Sequence, residues 1–292
     1  HGVKSVNDII PRKFNVVDLW DEDVPIELGK PSGQQSKYAI QSLEAAAQDL
    51  GQGKIDMLVT APIDKHSMQL AGFQFPGHTE FLSHLAGSDS PVLMILVGDG
   101  LRVALVTGHL PINQVAEAVT TERIIGKARL FNRSLQSDFG INQPRIAVLG
   151  LNPHAGDGGA IGSEDKERIA PAVRKLQEEG INAMGPYPAD GFFGNGSYKH
   201  FDGVLAMYHD QGLAPFKALS FGHGVNYTAG LPIVRTSPDH GTGLGIAGRN
   251  EADPGSLRHA VWLGLDIIRN RERWKRMSAN PLQPQKKEKG GE

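Results

Sequence analysis

Cysteine is missing from all 292 residues. That absence excludes disulfide staples, thiolate metal centres and a cysteine nucleophile, and it fits a reducing compartment such as the cytoplasm. Long apolar runs are missing as well: stretches such as residues 92–97 fall far short of the roughly 20 residues that span a bilayer, and no secretory signal is visible. No membrane partner is expected. Nor is charge of one sign in excess, since 30 Lys and Arg face 32 Asp and Glu, interspersed, for a formal net charge of -2. A nucleic-acid footprint is therefore lacking, and a small molecule is the expected partner.

What remains is the composition of an ordinary globular protein, 39% hydrophobic and 21% charged, long enough for one large α/β unit or two lobes. Strand-length apolar runs alternate with segments of helical period. Strands are expected at 14–19, 55–60, 92–97, 101–107, 146–151 and 203–208, and helices at 36–50, 112–137 with a break near Thr120, 164–179 and 254–271. Gly-Asp-Gly at 98–100 reads as a turn and Gly180 as a helix C-cap. Such alternation argues for an α/β fold around a largely parallel sheet, because parallel strands need a crossover and helices supply it. The chain opens at His1 with residues 12–20 already reading as a strand in mid-fold, so an N-terminal part is expected to be missing. Residues 277–292, rich in Lys, Gln, Pro and Gly, read as a disordered tail, which leaves 1–276 as the folded unit.

Three of the expected strands run into a histidine at their C-terminal ends. His109 follows Leu101-Arg-Val-Ala-Leu-Val-Thr-Gly, His154 follows Arg145-Ile-Ala-Val-Leu-Gly-Leu-Asn-Pro, and His209 follows Gly203-Val-Leu-Ala-Met-Tyr. Ligand crevices of open α/β sheets lie outside the carboxyl ends of the strands, so the three imidazoles are candidates for one divalent metal with positions left open for substrate oxygens. Each taken singly is as well explained as a satisfied polar group in a loop, and spacing cannot show that the strands are neighbours. The glycine-rich Asn152-Pro-His-Ala-Gly-Asp-Gly-Gly159 could receive an anion on its amides or be a plain tight turn. Asp210, next to His209, could orient an imidazole, relay a proton or cap a helix. Asp190 carries the same ambiguity, with capping preferred on the residues alone.

A second group of candidates suits an anion. His78 and Thr79, in Gly77-His-Thr-Glu-Phe81, open a short helix whose N-terminus favours negative charge; a threonine cap beside an incidental histidine is the alternative. Lys217, Asn226 and Arg235 fall within one mostly apolar stretch, where the two cations could grip both ends of a doubly anionic substrate. Arg235 is expected in a buried strand with Leu231-Pro-Ile-Val234, and an unpaired guanidinium there is costly. Asp239-His-Gly-Thr-Gly243, with Gly245 and Ala247-Gly248 behind it, lets a flat ligand approach the backbone.

Taken together, Thr60-Ala-Pro62 with Lys65, Gly77-His-Thr-Glu-Phe81, Thr107-Gly-His-Leu110, Gly150-Leu-Asn-Pro-His-Ala-Gly156, Ala206-Met-Tyr-His-Asp-Gln-Gly212, Gly224-Val-Asn226 and Arg235-Thr-Ser-Pro-Asp-His-Gly-Thr242 resemble the 4-hydroxythreonine-4-phosphate dehydrogenase family of vitamin B6 biosynthesis. The likeness runs over about residues 25–270. It implies an isocitrate/isopropylmalate-dehydrogenase-like α/β fold, two interleaved lobes with a cleft between them, which binds NAD (or NADP) without the Rossmann glycine fingerprint. It further implies that His109, His154 and His209 hold a divalent metal (Zn, Mg, Co or Mn) at a site shared across a homodimer interface. By the same resemblance His78, Thr79, Lys217, Asn226 and Arg235 contact substrate, and Asp239, His240, Gly241 and Thr242 receive the adenosine part of the dinucleotide. Asp190, Asp210 and Lys217 become the candidates for proton transfer.

The implied reaction is oxidation of 4-phosphooxy-L-threonine to 2-amino-3-oxo-4-phosphooxybutanoate, which decarboxylates to 3-amino-2-oxopropyl phosphate. The sequence also departs from the family pattern. A Gly-Asp-Pro-like opening segment is not found, Gly243 stands where alanine is commoner, and Arg249-Asn-Glu251 replaces a glycine-containing turn. A paralogous dehydrogenase of 4-phospho-D-threonate or D-erythronate is the nearest alternative, although Gly224-Val-Asn226 after Ser220-Phe-Gly222 sides with the biosynthetic branch. A metal-dependent hydrolase is the alternative from another class.

Overall fold

A helix that is apolar along one stripe needs a surface to cover it, and here the surface is a sheet of eight strands. The computed structural model describes residues 1–87, 91–220 and 222–280. In chain order its elements are β1 (Gly2–Val3), β2 (Val16–Val17), α1 (Gly33–Gly51), β3 (Leu58–Val59), α2 (Lys65–Leu70), α3 (His78–Leu85), β4 (Leu93–Gly98), β5 (Leu101–Leu105), α4 (Ile112–Ala118), α5 (Thr121–Ser137), β6 (Ile146–Leu149), α6 (Ala170–Glu178), β7 (Ala183–Tyr187), α7 (Ala189–Gly194), β8 (Gly203–Ala206), α8 (His209–Leu219), β9 (Val225–Ala229), β10 (Arg235–Pro238) and α9 (Gly255–Ser278). The large sheet has the order β3-β10-β9-β4-β5-β8-β6-β7, and β1 pairs with β2 apart from it.

Local chemistry explains the best-defined pieces. Thr120 caps α5 by accepting from the Arg123 amide at 3.2 Å, and it falls at the break expected there. Ile124, Ala128, Phe131 and Leu135 then recur on one fully buried face of that helix. Behind a wide π turn at Asp165–Ile169, α6 ends where Gly180 takes φ +78° and the Gly180 and Ile181 amides return to Gln177 and Leu176. Asp99 and Gly100, at φ 47° and 81°, make the two-residue turn that folds β5 back on β4 with Gly98 opposite Leu101.

One face of the sheet is covered by α5, α6 and α9 through a cluster that includes Ile95, Phe131, Leu176, Leu205, Tyr227 and Ile267. On the opposite face α7 and α8 bury Phe192, Leu213 and Phe216 against Leu96, Val103 and Leu149. A third cluster, with Leu43, Met68, Phe73, Phe81 and Leu231, joins α1, α2 and α3 near the β3 end.

Several expectations need correction. The sheet is mixed rather than largely parallel: β3–β10, β5–β8, β8–β6 and β6–β7 pair parallel, while β10–β9, β9–β4 and β4–β5 pair antiparallel. The tight β4–β5 hairpin forces the reversal, and β9 takes the place beside it. Strands β7 and β9 are not foreseen because Ala-Met-Gly-Pro-Tyr and Val-Asn-Tyr-Thr-Ala carry proline, glycine or polar groups; the proline of β7 is tolerated because that strand is at the sheet edge. Arg235 is buried in a strand as expected, but the strand starts at Arg235 rather than at Leu231. Residues 14–19 yield only β2, with Phe14 86% exposed. The last helix runs beyond Arg271 through Met277 and Ser278, the first residues of the expected disordered tail, and 281–292 of that tail lie outside the described residues. Among the described residues no helix is long and apolar enough to cross a membrane.

Phe131 is fully buried where α5 meets the sheet. Phe131→Ala is expected to lower the unfolding free energy by about 3–5 kcal/mol, read from urea denaturation as a lower midpoint with an unchanged slope.

Candidate functional site

The three strands that carry histidines are neighbours. β8 pairs in parallel with β5 on one side and β6 on the other, so their C-terminal ends open at a single edge of the sheet. The His109 and His209 ring centroids are 5.7 Å apart at an interplanar angle of 41°. His209 Nδ1 lies 2.7 Å from Asp210 Oδ1, which leaves the other ring nitrogen free. Both rings line a cavity of about 320 Å³ with Asp210, Tyr208 and Ile112. His154 opens instead onto an adjoining cleft of about 510 Å³ with Asp190, Phe193 and Gln211, and Tyr208 forms a wall of both. Two of the three imidazoles therefore suit a metal as a pair, and the third does not join them within one chain: among the described residues no three metal-capable side chains converge.

The loop that carries His154 has an unusual backbone. His154, Ala155, Gly156, Asp157, Gly158 and Gly159 all have positive φ, from 43° to 112°, a left-handed run that costs energy at the non-glycine positions. Asp165, 2% exposed, holds it by accepting from the Leu151 and Asn152 amides at 2.8 and 3.1 Å and from Asn152 Nδ2 at 2.9 Å. Asp165 is a positioning residue that sequence reasoning misses; the only signal is the glycine run that it anchors. Neither Asp190 nor Asp210 caps a helix, since α7 and α8 have no side-chain cap bond, which corrects the preference for capping at Asp190.

The anion candidates divide between two places. Arg235 is 5% exposed, and its Nε and Nη2 donate to Thr60 Oγ1 at 3.0 and 2.7 Å. Its Nη2 also lies 3.4 Å from His78 Nδ1, and a guanidinium only donates, so that nitrogen is the acceptor of a neutral ring. No carboxylate comes within 4 Å of the guanidinium among the described residues. Burial pulls Arg235 down to about 10, opposed by the charge of Glu80. Burial, with help from Arg235 and Lys65, brings His78 down to about 4. Thr79 follows His78 in the first turn of α3, and Gly77 rather than Thr79 is the N-cap. Asn226 Oδ1 is buried without a hydrogen-bond partner among the described residues. Thr60, which accepts from Arg235, and Lys65, whose charge acts on His78, are thus neighbours of the anion candidates to which the sequence assigns no role of their own.

Lys217 belongs to the other place. It lines a cleft of about 960 Å³ with Asp239, His240, Gly241, Thr242 and Asp253, and its Nζ reaches the Asp239 carbonyl at 3.4 Å. A Cβ at Gly224 would collide with the Asp239 carboxylate as it lies here, so a larger residue would displace that side chain from its present position. Gly243-Leu-Gly-Ile-Ala-Gly248 spells G-x-G-x-x-G, yet it follows β10 in a loop with one 3-10 turn at Leu244–Ile246, outside the strand–turn–helix setting that gives the motif meaning.

Paired imidazoles at a sheet edge, a buried guanidinium lacking a counter-charge and a large glycine-walled cleft define the class: an α/β enzyme for a small anionic substrate. The sequence narrows this further. Residues 2–264 match the family described as pyridoxal phosphate biosynthetic protein PdxA, and the chain belongs to that family. It is 52% identical to 4-hydroxythreonine-4-phosphate dehydrogenase of Bacteroides thetaiotaomicron over 98% of this chain and 79% of that protein. It is 45% identical to the enzyme of the same name from a Sulfurihydrogenibium species over 92% and 82%. The crystal structure of 4-hydroxythreonine-4-phosphate dehydrogenase from Klebsiella pneumoniae has the same fold, with a TM-score of 0.77, 34% identity and coverage of 92% of this chain and 82% of that one. The chain is accordingly an oxidoreductase, and membership of a dehydrogenase family implies a nicotinamide cofactor.

The neutral state of His78 has a measurable consequence. Its folded value of about 4 lies below the ordinary 6.5, so between those values the unfolded chain binds a proton that the folded chain does not. The resulting stability is fully present above pH 6.5 and is lost as pH falls toward 4. His78→Gln is expected to flatten the stability profile in that window, measured by urea unfolding at a series of pH values; an unchanged slope would count against a neutral buried ring.

Proposed function

We propose that this protein catalyses the NAD-dependent oxidation of 4-phosphooxy-L-threonine to 2-amino-3-oxo-4-phosphooxybutanoate, with loss of carbon dioxide to give 3-amino-2-oxopropyl phosphate, in pyridoxal phosphate biosynthesis. The observation that carries the reading is Arg235, a buried cation without a carboxylate partner among the described residues, in a chain whose relatives are named for a phosphorylated threonine. Arg235, Thr79 and neutral His78 bind an anionic end of the substrate, with Thr60 holding the guanidinium in place. The unpartnered Asn226 Oδ1 accepts from the substrate's amino or hydroxyl group. Lys217 carries the second anionic end or, as an alternative to Asp190 and Asp210, takes the hydroxyl proton.

Asp239, His240, Gly241 and Thr242, which line the large cleft, would hold the dinucleotide, NAD (or NADP), and that cofactor would supply the hydride acceptor. Residues 1–276 act as one unit of two interleaved lobes, in a cytoplasmic homodimer. Because His154 opens away from the His109–His209 pair, the metal reading requires two copies of the chain, with His154 of the partner subunit completing the set. His109 and His209, with His154 of the partner subunit, would hold a divalent cation, and such a cation would supply Lewis-acid chemistry at the substrate's hydroxyl and keto oxygens. Asp210 orients the His209 ring for this role.

Two measurements test these statements. Protein mixed with NAD, a magnesium or zinc salt and each phosphorylated acid is expected to show the absorbance of reduced nicotinamide, strongest with 4-phosphooxy-L-threonine and abolished by a chelator. No reduction with any acid would overturn the dehydrogenase reading. For the shared metal site, His154→Ala and His209→Ala should each abolish turnover, and reassorted dimers of the two should recover about a quarter of wild-type activity, the statistical share of intact sites. Mixed dimers as inactive as their parents would show that each chain supplies its own ligands.

A further inference from the structure

Behind the anion pocket, on the opposite face of the same two strands, lies a buried polar network for which the proposed reaction has no direct use. β9 alternates across the sheet: Thr228 Oγ1 meets Arg235 Nη1 at 3.5 Å on the pocket side, whereas Tyr227 is fully buried in the cluster under α5 and α9. The Tyr227 hydroxyl donates to Asp138 Oδ2 at 2.7 Å. Asp138, 3% exposed at the end of α5, also accepts from Ser134 Oγ at 2.7 Å, Ser137 Oγ at 3.0 Å and Arg271 Nε at 2.8 Å. Arg271, from α9, uses Nη2 for the Tyr227 hydroxyl at 2.9 Å and the Leu231 carbonyl at 3.2 Å, and Nη1 for the Pro232 and Ile233 carbonyls at 3.2 and 3.3 Å. One planar fork therefore grips three successive carbonyls of the β9–β10 connection together with the strand before it.

Sequence adjacency gives this grip its meaning. Tyr227 is the residue after Asn226, and Ile233 is two residues before Arg235. We propose that Arg271, Asp138 and Tyr227 are positioning residues for substrate binding, fixing β9 and β10 so that Asn226 and Arg235 meet the same substrate. Stability alone is a poor account of the network, because a buried ion pair is often no more stabilising than apolar groups of the same volume. Geometry is the better one: displacement of a binding group by about 1 Å can cost about a hundredfold in rate, and the fork constrains the connection that sets Arg235. The inference rests on the proposed function for the identity of the substrate.

Tyr227→Phe removes one hydroxyl and leaves the Asp138–Arg271 pair; Arg271→Lys keeps the charge and removes the fork. Steady-state kinetics are to be measured with the phosphorylated acid and the dinucleotide varied in turn, alongside the thermal midpoint. In both variants KM for the acid is expected to rise about tenfold while kcat and KM for the dinucleotide stay within about twofold, the pattern of lost binding uniform to ground and transition states. A lowered midpoint with KM for the acid unchanged, or a fall in kcat alone, overturns the inference and leaves the network a purely structural feature. A wild-type protein that reduces no dinucleotide overturns the functional reading and this inference with it, and the wild-type trace alone distinguishes that case from the others.

Discussion

Main-chain hydrogen bonds join β5, β8 and β6 in one parallel register, Val103 beside Val204 and Val204 beside Ala147, and the site's layout depends on that alignment. Apart from the half-buried Arg102 of β5, these strands are apolar and buried on both faces, and none of the candidate site residues lies within them. The chemistry begins only where pairing stops. Thr107 Oγ1 donates to the Met207 carbonyl at 2.7 Å, just past the strand ends, and so the segments leading to His109 and His209 leave the sheet together. Slippage of β8 by one residue would exchange its two faces and separate the rings.

Two arginines on opposite faces of β9 and β10, Arg235 buried and Arg271 partly buried, show how the same side chain serves different ends. Arg271 has a partner for every N–H that its geometry offers, a carboxylate among them. Arg235 is more enclosed still, yet its partners are hydroxyls and an imidazole, all of them neutral. Removing a charge from water is costly unless another charge or dense hydrogen bonding compensates. The first arrangement compensates fully within the fold, and the second leaves a deficit that an anion would fill. Such a deficit is the physical signature of a binding group, because a substrate carboxylate or phosphate supplies what the protein withholds.

What the sequence discloses follows from what each feature requires. The hairpin at Gly98-Asp-Gly100, the break at Thr120 and the stop at Gly180 are legible because each is decided by a few neighbouring residues with positive-φ or capping chemistry. Edge and centre strands such as β7 and β9 are illegible because their pairing partners, not their own residues, make them strands. The site divides in the same way. Histidines at strand ends can be found by eye, and the neighbouring positions of their strands are confirmed. That Lys217 and Arg235 occupy different places could not be read from proximity in sequence, since α8 carries one to the glycine-walled cleft and β10 carries the other to the β3 end of the sheet.

The segregation of His154 has a local cause that bears on the shared-site reading. Six consecutive residues in the left-handed region would unwind to ordinary backbone if nothing opposed it, because three of them have a Cβ. Asp165 opposes it by satisfying the amides of Leu151 and Asn152, and a Cβ at Gly150 would collide with that same carboxylate. This conformation leaves His154 exposed at its start, lining a cleft that adjoins the cavity of the other two imidazoles. Asp165 and its hydrogen bonds are thus the group within the chain that offsets the strain of the turn. On the proposed shared-site reading, Asp165 would thereby hold the turn in the form that presents an exposed His154 to a second copy of the chain.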